Sequence, residues 1–350
     1  MTIINSHSTL DSRAPGLDET DAEKLARELY GFSGTARLLT AERDKNFLLE
    51  AEDGLRLVLK VSNPAEDRLV TNFQTSAMLH LELTSPHLML PRIVRARDGS
   101  VEVDVQLPDG RKSVARMLTY IPGIPLYTLP RTPLVRRDLG ALLAELDLGL
   151  AGFSHEAQSH ELQWDLMRLP QLAGLLEAVE LPQARQVVEK VIEDFNTHVL
   201  PSTTLLRKQV IYNDLNFYNV LMSSADHEKI EGIIDFGDII HAPLVNDVCV
   251  AATYHFLDTD DPFQSVGELI ATYHRRLPLL EQEIELIPDL IAARMATTIL
   301  ISSWRARLYP ENGPYILRNA PVSQVGLALL TARSRWENLD WIHTVCREEA

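Results

Sequence analysis

Up to about residue 121, short apolar runs are separated by turn residues, the pattern of strands. Thr35 to Thr40 and Asn46 to Ala51 read as strands around the turn Ala41-Glu42-Arg43-Asp44-Lys45. Asp53-Gly54 is a hairpin signal leading into Leu55 to Val61, and Asn63-Pro64 breaks that strand. Arg92 to Ala96 and Val101 to Leu107, joined at Asp98-Gly99, are further strands, and Asp109-Gly110 turns the chain into Ser113 to Tyr120. Two helices interrupt this part. Asp21 to Leu29 is amphipathic and stops at Gly31, and Arg68 to Leu83 places Val70, Phe73, Ala77 and Leu81 on one face. Pro122-Gly123-Ile124-Pro125 marks the boundary between two lobes.

Beyond the boundary the period becomes helical: Pro133 to Leu150, Glu161 to Val179 with an interruption at Pro170, Pro182 to Val199, Asn246 to Phe256, Phe263 to Arg275, Leu279 to Leu308 and Val322 to Cys346. One non-helical stretch lies among them. An extended segment reaches Ile211, Asn219 to Met222 reads as a strand, Ser223 to Glu228 as a turn and Lys229 to Ile234 as the returning strand. The expected class is α+β, a protein-kinase-like two-lobe arrangement with a mobile tail at 1–20, a small β-rich lobe at 21–121 and a larger helical lobe at 122–350.

Composition narrows the choices. At 350 residues the chain can bury two cores. A formal net charge of −16 argues against nucleic acid, whose phosphates require cations, and suits an amine-bearing substrate or a solvated acidic surface. Cys249 and Cys346 have no metal-type spacing and do not suggest a disulfide framework, so a cytoplasmic location is the default. The first 20 residues lack the basic start and apolar core of a signal peptide, and no stretch is apolar for long enough to span a bilayer.

The chemistry concentrates around the strand pair. Asp214-Leu215-Asn216-Phe217-Tyr218-Asn219 reads D-x-x-x-x-N, and Asp235-Phe236-Gly237 follows the returning strand. Phosphoryl transfer needs a carboxylate to orient an attacking hydroxyl and accept its proton, and oxygen ligands for Mg²⁺ on the phosphates. Asp214 suits the first role; Asn219 and Asp235 suit the second. Either motif alone is common. Their order, each beside an apolar strand, makes the combination specific.

Together these residues resemble the aminoglycoside phosphotransferase family, most closely its hydroxylysine kinase branch. The likeness rests on Glu42-Arg43-Asp44-Lys45-Asn46-Phe47, Val58-Leu59-Lys60-Val61, Leu118-Thr119-Tyr120-Ile121-Pro122-Gly123 and the two motifs above, and runs from about Leu29 to Leu330. It implies that Lys60 holds the α- and β-phosphates, that the turn with Arg43 and Asn46 lies over them, and that the backbone of Thr119 to Ile121 pairs with the base. It implies Asp214 as catalytic base, Asp235 as principal metal ligand and Asn219 completing the metal site, with Mg²⁺ and ATP, or GTP, as the nucleotide. Three departures stand out. Tyr212 replaces the usual His, Asn213 replaces a Gly, and Gln74 stands where a Glu would pair with Lys60, with Glu66 and Asp67 upstream as other candidates.

Acceptors in that family are mostly small hydroxylated amines. Asp238 and Asp247 would face a substrate ammonium or else cap helices, while Arg305, near Tyr315, would grip a carboxylate or else lie at the surface. The expected partners are a nucleotide and a small hydroxylated amine or amino acid, with no nucleic acid or membrane, in a monomer or homodimer. The alternatives are a non-catalytic nucleotide-binding protein on the same fold and an aminoglycoside 3′-type phosphotransferase.

Overall fold

The computed structural model describes residues 12–41, 43–257 and 259–347. The chain divides into two compact units, and the main division falls between Pro122 and Gly123. Two later segments, Ser154–His160 and Gly232–Phe236, also belong to the first unit, which a split at one point in sequence does not anticipate.

The first unit is built on an antiparallel sheet. Strands β1 (Thr35–Leu39), β2 (Lys45–Glu50), β3 (Arg56–Val61) and β6 (Lys112–Thr119) pair in that order, and β4 (Ile93–Val94) and β5 (Val103–Gln106) both pair with β6. Alternate residues of β3 (Leu57, Leu59 and Val61) are buried, while Lys60 lies on the other face, opposite Asn46 and Arg116. Helix α1 (Glu19–Leu25) starts at a capping box in which Asp18 and Asp21 satisfy each other's backbone N–H. Helix α2 (Arg68–Thr84) starts at Asp67, whose carboxylate accepts from Leu69 N. Part of the expected tail is packed. Leu17 joins the core of this unit, Glu19 opens α1, and Arg111 donates to the carbonyls of Arg13 and Ala14. Residues 1–11 lie outside the described residues.

In the second unit, the Ile124–Pro125 break is itself a strand, β7, paired with β9 (Val220–Met222); β10 (Ile230–Ile233) starts in this unit and ends in the first. Proline is tolerated there because β7 is an edge. Strand β8 (Lys208–Ile211) pairs with β11 (Ile240–Pro243). The helices are α3 (Pro133–Leu150), α4 (Pro182–Asp194), α5 (Val245–Ala252), α6 (Pro262–Arg276), α7 (Glu281–Ile284), α8 (Ile287–Leu308), α9 (Gly313–Ile316), α10 (Ala320–Thr331) and α11 (Arg335–Arg347). Two stretches expected as single helices are divided. Pro288 stands in the first turn of α8, so α7 ends before it, and residues 332–334 separate α10 from α11. The stretch around Pro170 forms a 3₁₀ helix, Leu166–Ala178. No helix among the described residues is long and apolar enough to cross a membrane.

Helices α3, α5 and α6 enclose two buried carboxyls. Asp147 on α3 and Asp247 on α5 are both fully buried, and the Tyr273 hydroxyl of α6 donates to Asp147 at 2.6 Å. Asp247 accepts from Tyr212 N at 2.8 Å and from Asn213 N at 2.7 Å, two consecutive N–H groups just before Asp214. Burial, reinforced by the charge of Asp247, pushes Asp147 well above the usual carboxylate range, so it keeps its proton and donates it to Asp247. Burial also raises Asp247, to about 6, against the opposing pull of its two backbone donors. Asp247 therefore does not face a substrate ammonium. It is enclosed in the core because the 212–213 backbone needs an acceptor there.

Gly140 on α3 lies where a Cβ would come within 2.2 Å of Leu269 O on α6. Gly140→Ala should therefore force the two helices apart and cost about 1–3 kcal/mol. A chemical-denaturation midpoint equal to that of the parent would refute this close packing. The carboxyl pair makes a second prediction. Both folded pKa values lie above the unfolded value near 4, so the native state holds more protons than the unfolded chain above that pH. The contribution of Asp247 is complete below pH ~4 and is lost as pH rises through about 6, and that of Asp147 likewise declines as pH rises above ~4. Asp147→Asn, whose amide can donate the same bond without titrating, should flatten that decline in urea midpoints measured from pH 5 to 7. Profiles of equal steepness would contradict the protonated pair.

Candidate active site

The first unit supplies a cation held between two carboxylates. Lys60 Nζ lies 3.0 Å from Asp44 Oδ2 and 3.4 Å from Asp235 Oδ1. Burial alone would lower its pKa, but Asp235 and Asp44 outweigh burial and raise it, so the ammonium persists. Burial would raise Asp44, and Lys60, Arg43 and Arg116 reverse that and lower it. The carboxylate expected on helix α2 is thus supplied by the turn between β1 and β2. Gln74 is not an ion-pair partner of Lys60; its Oε1 accepts from the buried Arg116 guanidinium at 3.1 Å. Asn63 pins the turn, donating from its backbone to Asp44 Oδ1 at 2.9 Å and from its side chain to Arg43 O at 3.1 Å. Arg43 is fixed there through its backbone. Asn46 faces Lys60 across the strand pair with its amide oxygen buried and unbonded, and Glu42 lies outside the described residues.

Thr119 ends β6, where its hydroxyl accepts from Arg92 N at 2.9 Å, and Ile121 is buried two residues later. Asp235 is exposed and adopts a left-handed backbone at φ 66°. For an aspartate that conformation is uncommon and costs about 1–3 kcal/mol, so surrounding packing must impose it.

The second unit supplies the loop of Asp214. Asn213 is also left-handed, at φ 65°, a conformation Asn tolerates where most side chains do not. Its N–H is held by Asp247, and its side-chain amide donates to Asp238 O at 3.2 Å. Asn219 donates its amide to Asp214 Oδ2 at 2.7 Å and to Asp214 O at 3.0 Å, which leaves its amide oxygen as the acceptor end. On the other side, Arg294 Nη2 of α8 stands 3.7 Å from Asp214 Oδ1. That guanidinium is buried, donates to Trp164 O at 2.9 Å and lies over the Trp164 ring at 5.2 Å. Asp214 and Asp238 both act to keep it charged. Asp238 therefore lies in the electrostatic reach of Arg294, with Asp214.

Arg305 lies on the same helix as Arg294 and is buried, so it is not the surface side chain that its place near a turn suggests. Tyr315 stacks under Arg318, with the guanidinium 3.8 Å from the ring centre. Arg294, Asp147 and Arg318 escape sequence reasoning because no short motif contains them, and Asp44 stands in a quoted turn without being assigned a role.

Among the described residues no group of three or more His, Cys, Asp or Glu side chains could cage a metal. One amide oxygen (Asn219) and one exposed carboxylate (Asp235) are hard oxygen donors. Each by itself offers the hard-oxygen chemistry that suits Mg²⁺ accompanied by phosphates rather than a metal held by protein alone.

Known proteins resemble this chain over most of its length. The profile of the phosphotransferase enzyme family matches residues 35–282. Hydroxylysine kinase of Xenopus laevis is 26% identical across 98% of this chain and 95% of its own length; that of Mus musculus is 26% identical across 94% and 90%. Among solved structures, an amicoumacin kinase in complex with AMP-PNP and Ca²⁺ superposes with a TM-score of 0.65 at 15% identity, covering 88% of this chain and 93% of that one. A microcompartment-associated aminopropanol kinase gives 0.64 at 18%, covering 89% and 98%. These likenesses establish a protein-kinase-like α+β fold, as the sequence led one to expect. The match over most of its length shows that this chain belongs to the phosphotransferase enzyme family.

Proposed function

We propose that this phosphotransferase is an ATP- and Mg²⁺-dependent kinase that phosphorylates the hydroxyl of a small amine or hydroxy amino acid, of the hydroxylysine type. The observation that supports it most is the fixing of Asp214 by three groups: Asp247 on the two backbone N–H groups just before it, Asn219 on one carboxylate oxygen and Arg294 beside the other. A base held this way can receive an acceptor hydroxyl without reorganising, and positioning is most of what phosphoryl transfer asks of a protein. Arg294 brings a positive charge to 3.7 Å from the Asp214 carboxylate. Lys60 would pair with phosphate oxygens while Asp44 orients its ammonium. Asn219 and Asp235 would hold the Mg²⁺, which neutralises charge between the phosphates. The full length covered by the hydroxylysine kinases supports the acceptor class.

The departures at Gln74 and Tyr212 do not favour a non-catalytic reading. Asp44 gives Lys60 its carboxylate, and the Tyr212 ring is fully buried in the core.

The test is nucleoside-diphosphate release with ATP and GTP over hydroxylysine, homoserine, choline, ethanolamine and aminoglycosides. Asp214→Asn should lower kcat by about 10²–10⁴-fold with nucleotide affinity nearly unchanged. Near-parental turnover in that variant would sink the mechanism. Asp235→Asn should instead remove the Mg²⁺-dependent part of nucleotide binding, read by titration with and without the metal. Nucleotide binding with no release for any acceptor would shift the reading to a non-catalytic protein.

A further inference from the structure

Arg318 lies between α9 and α10, with its guanidinium 3.8 Å from the centre of the Tyr315 ring and 4.7 Å from that of Tyr218. It donates from Nη1 to Tyr315 O at 3.2 Å, and its Nε is buried without a hydrogen bond. Among the described residues no carboxylate pairs with it, although the chain has 49 Asp and Glu against 33 Lys and Arg. Other partly buried arginines of this unit are neutralised, Arg136 by Glu268 and Arg207 by Glu283. A guanidinium held flat on aromatic faces with donors to spare is preorganised for a planar anion.

Its surroundings tie it to the reacting end. Tyr218 belongs to the same loop as Asp214, and its N–H is fixed by Asn216 Oδ1 at 2.8 Å. That ring also stacks on Tyr127 at 4.5 Å, which keeps Tyr218 in place beneath the guanidinium. The buried Tyr254 hydroxyl sits in the combined fields of Arg294, Asp214 and Arg318. Resting on the kinase reading above, we propose that Arg318 is the specificity residue that binds the carboxylate of the acceptor, so that the substrate is a hydroxy amino acid rather than an amino alcohol. The acceptor would present its hydroxyl to Asp214 and its carboxylate to Arg318. Tyr218 and Tyr315 would exclude water from that pair and strengthen it.

The experiment compares 5-hydroxylysine with its decarboxylated amino alcohol, in the parent and in Arg318→Gln and Arg318→Lys. Loss of two charge-assisted hydrogen bonds should raise the acceptor KM of Arg318→Gln for hydroxylysine by about 10–100-fold. The KM for the amino alcohol and for the nucleotide should stay within about twofold, and Arg318→Lys should recover part of the loss. Equal losses for both acceptors would mean a structural role, and no loss for either would mean no contact; both overturn the proposal. Calorimetric binding of the same two acceptors needs no turnover and separates the failures. Carboxylate-dependent binding that disappears in Arg318→Gln without any phosphoryl transfer would keep the recognition and refute the kinase. A parent protein that binds both acceptors equally, or neither, refutes the recognition whatever its turnover.

Discussion

The second unit depends on one buried carboxylate satisfying two consecutive backbone donors. Asp247 takes the N–H groups of Tyr212 and Asn213, and that demand sets Asn213 in a left-handed conformation and fixes where the chain leaves toward Asp214. A buried N–H without an acceptor is expensive, so the loop has little freedom to choose another path. The arrangement brings its own cost, because a carboxylate in the core is poorly solvated. The protonated Asp147, itself bonded by Tyr273, offsets part of it by donating a hydrogen bond rather than adding a second charge. Three helices thus converge on a point whose visible consequence is the aim of a side chain on a neighbouring loop.

The first unit solves a related problem with paired charges. Lys60 and Arg116 stand opposite each other on β3 and β6, two cations on one face of a sheet. Asp44 and Asp235 meet the ammonium, while Gln74, Thr71 and Thr75 receive the guanidinium with neutral acceptors. Gln74 follows from this division. A glutamate there would bind the arginine beneath the sheet as readily as the lysine, whereas a neutral amide leaves Lys60 to Asp44. The family's usual pairing is kept in effect, with the carboxylate moved from a helix to a turn.

Two arginines stand at the loop that carries Asp214. Arg294 reaches it from α8, and Arg318 is held by Tyr218 of the same loop. Both sit on aromatic faces, which strips water from the guanidinium while leaving its edge donors directed. In a chain with a large excess of acids, these are places where positive charge is kept deliberately in a protein-lined environment.

Strand patterning, turn dipeptides and the order of D-x-x-x-x-N before D-F-G made the fold class legible from the sequence and singled out Asp214, Asn219, Asp235 and Lys60 as candidates. All are local signals: alternation, a Gly or Pro at a turn, or polar residues at fixed spacing beside an apolar strand. The partners of those residues were not legible. Asp44 for Lys60, Arg116 for Gln74, Asp247 and Asp147 beneath Asn213, and Arg294 beside Asp214 join positions 16 to 80 residues apart, and the same residue types occur throughout the chain as solvated charges. Asp247 shows the difference most plainly. In sequence it is an acid near a helix start, suited to a ligand as much as to a cap, and only burial among α3, α5 and α6 decides for the backbone, because there the unsatisfied N–H groups of 212 and 213 are the donors within reach.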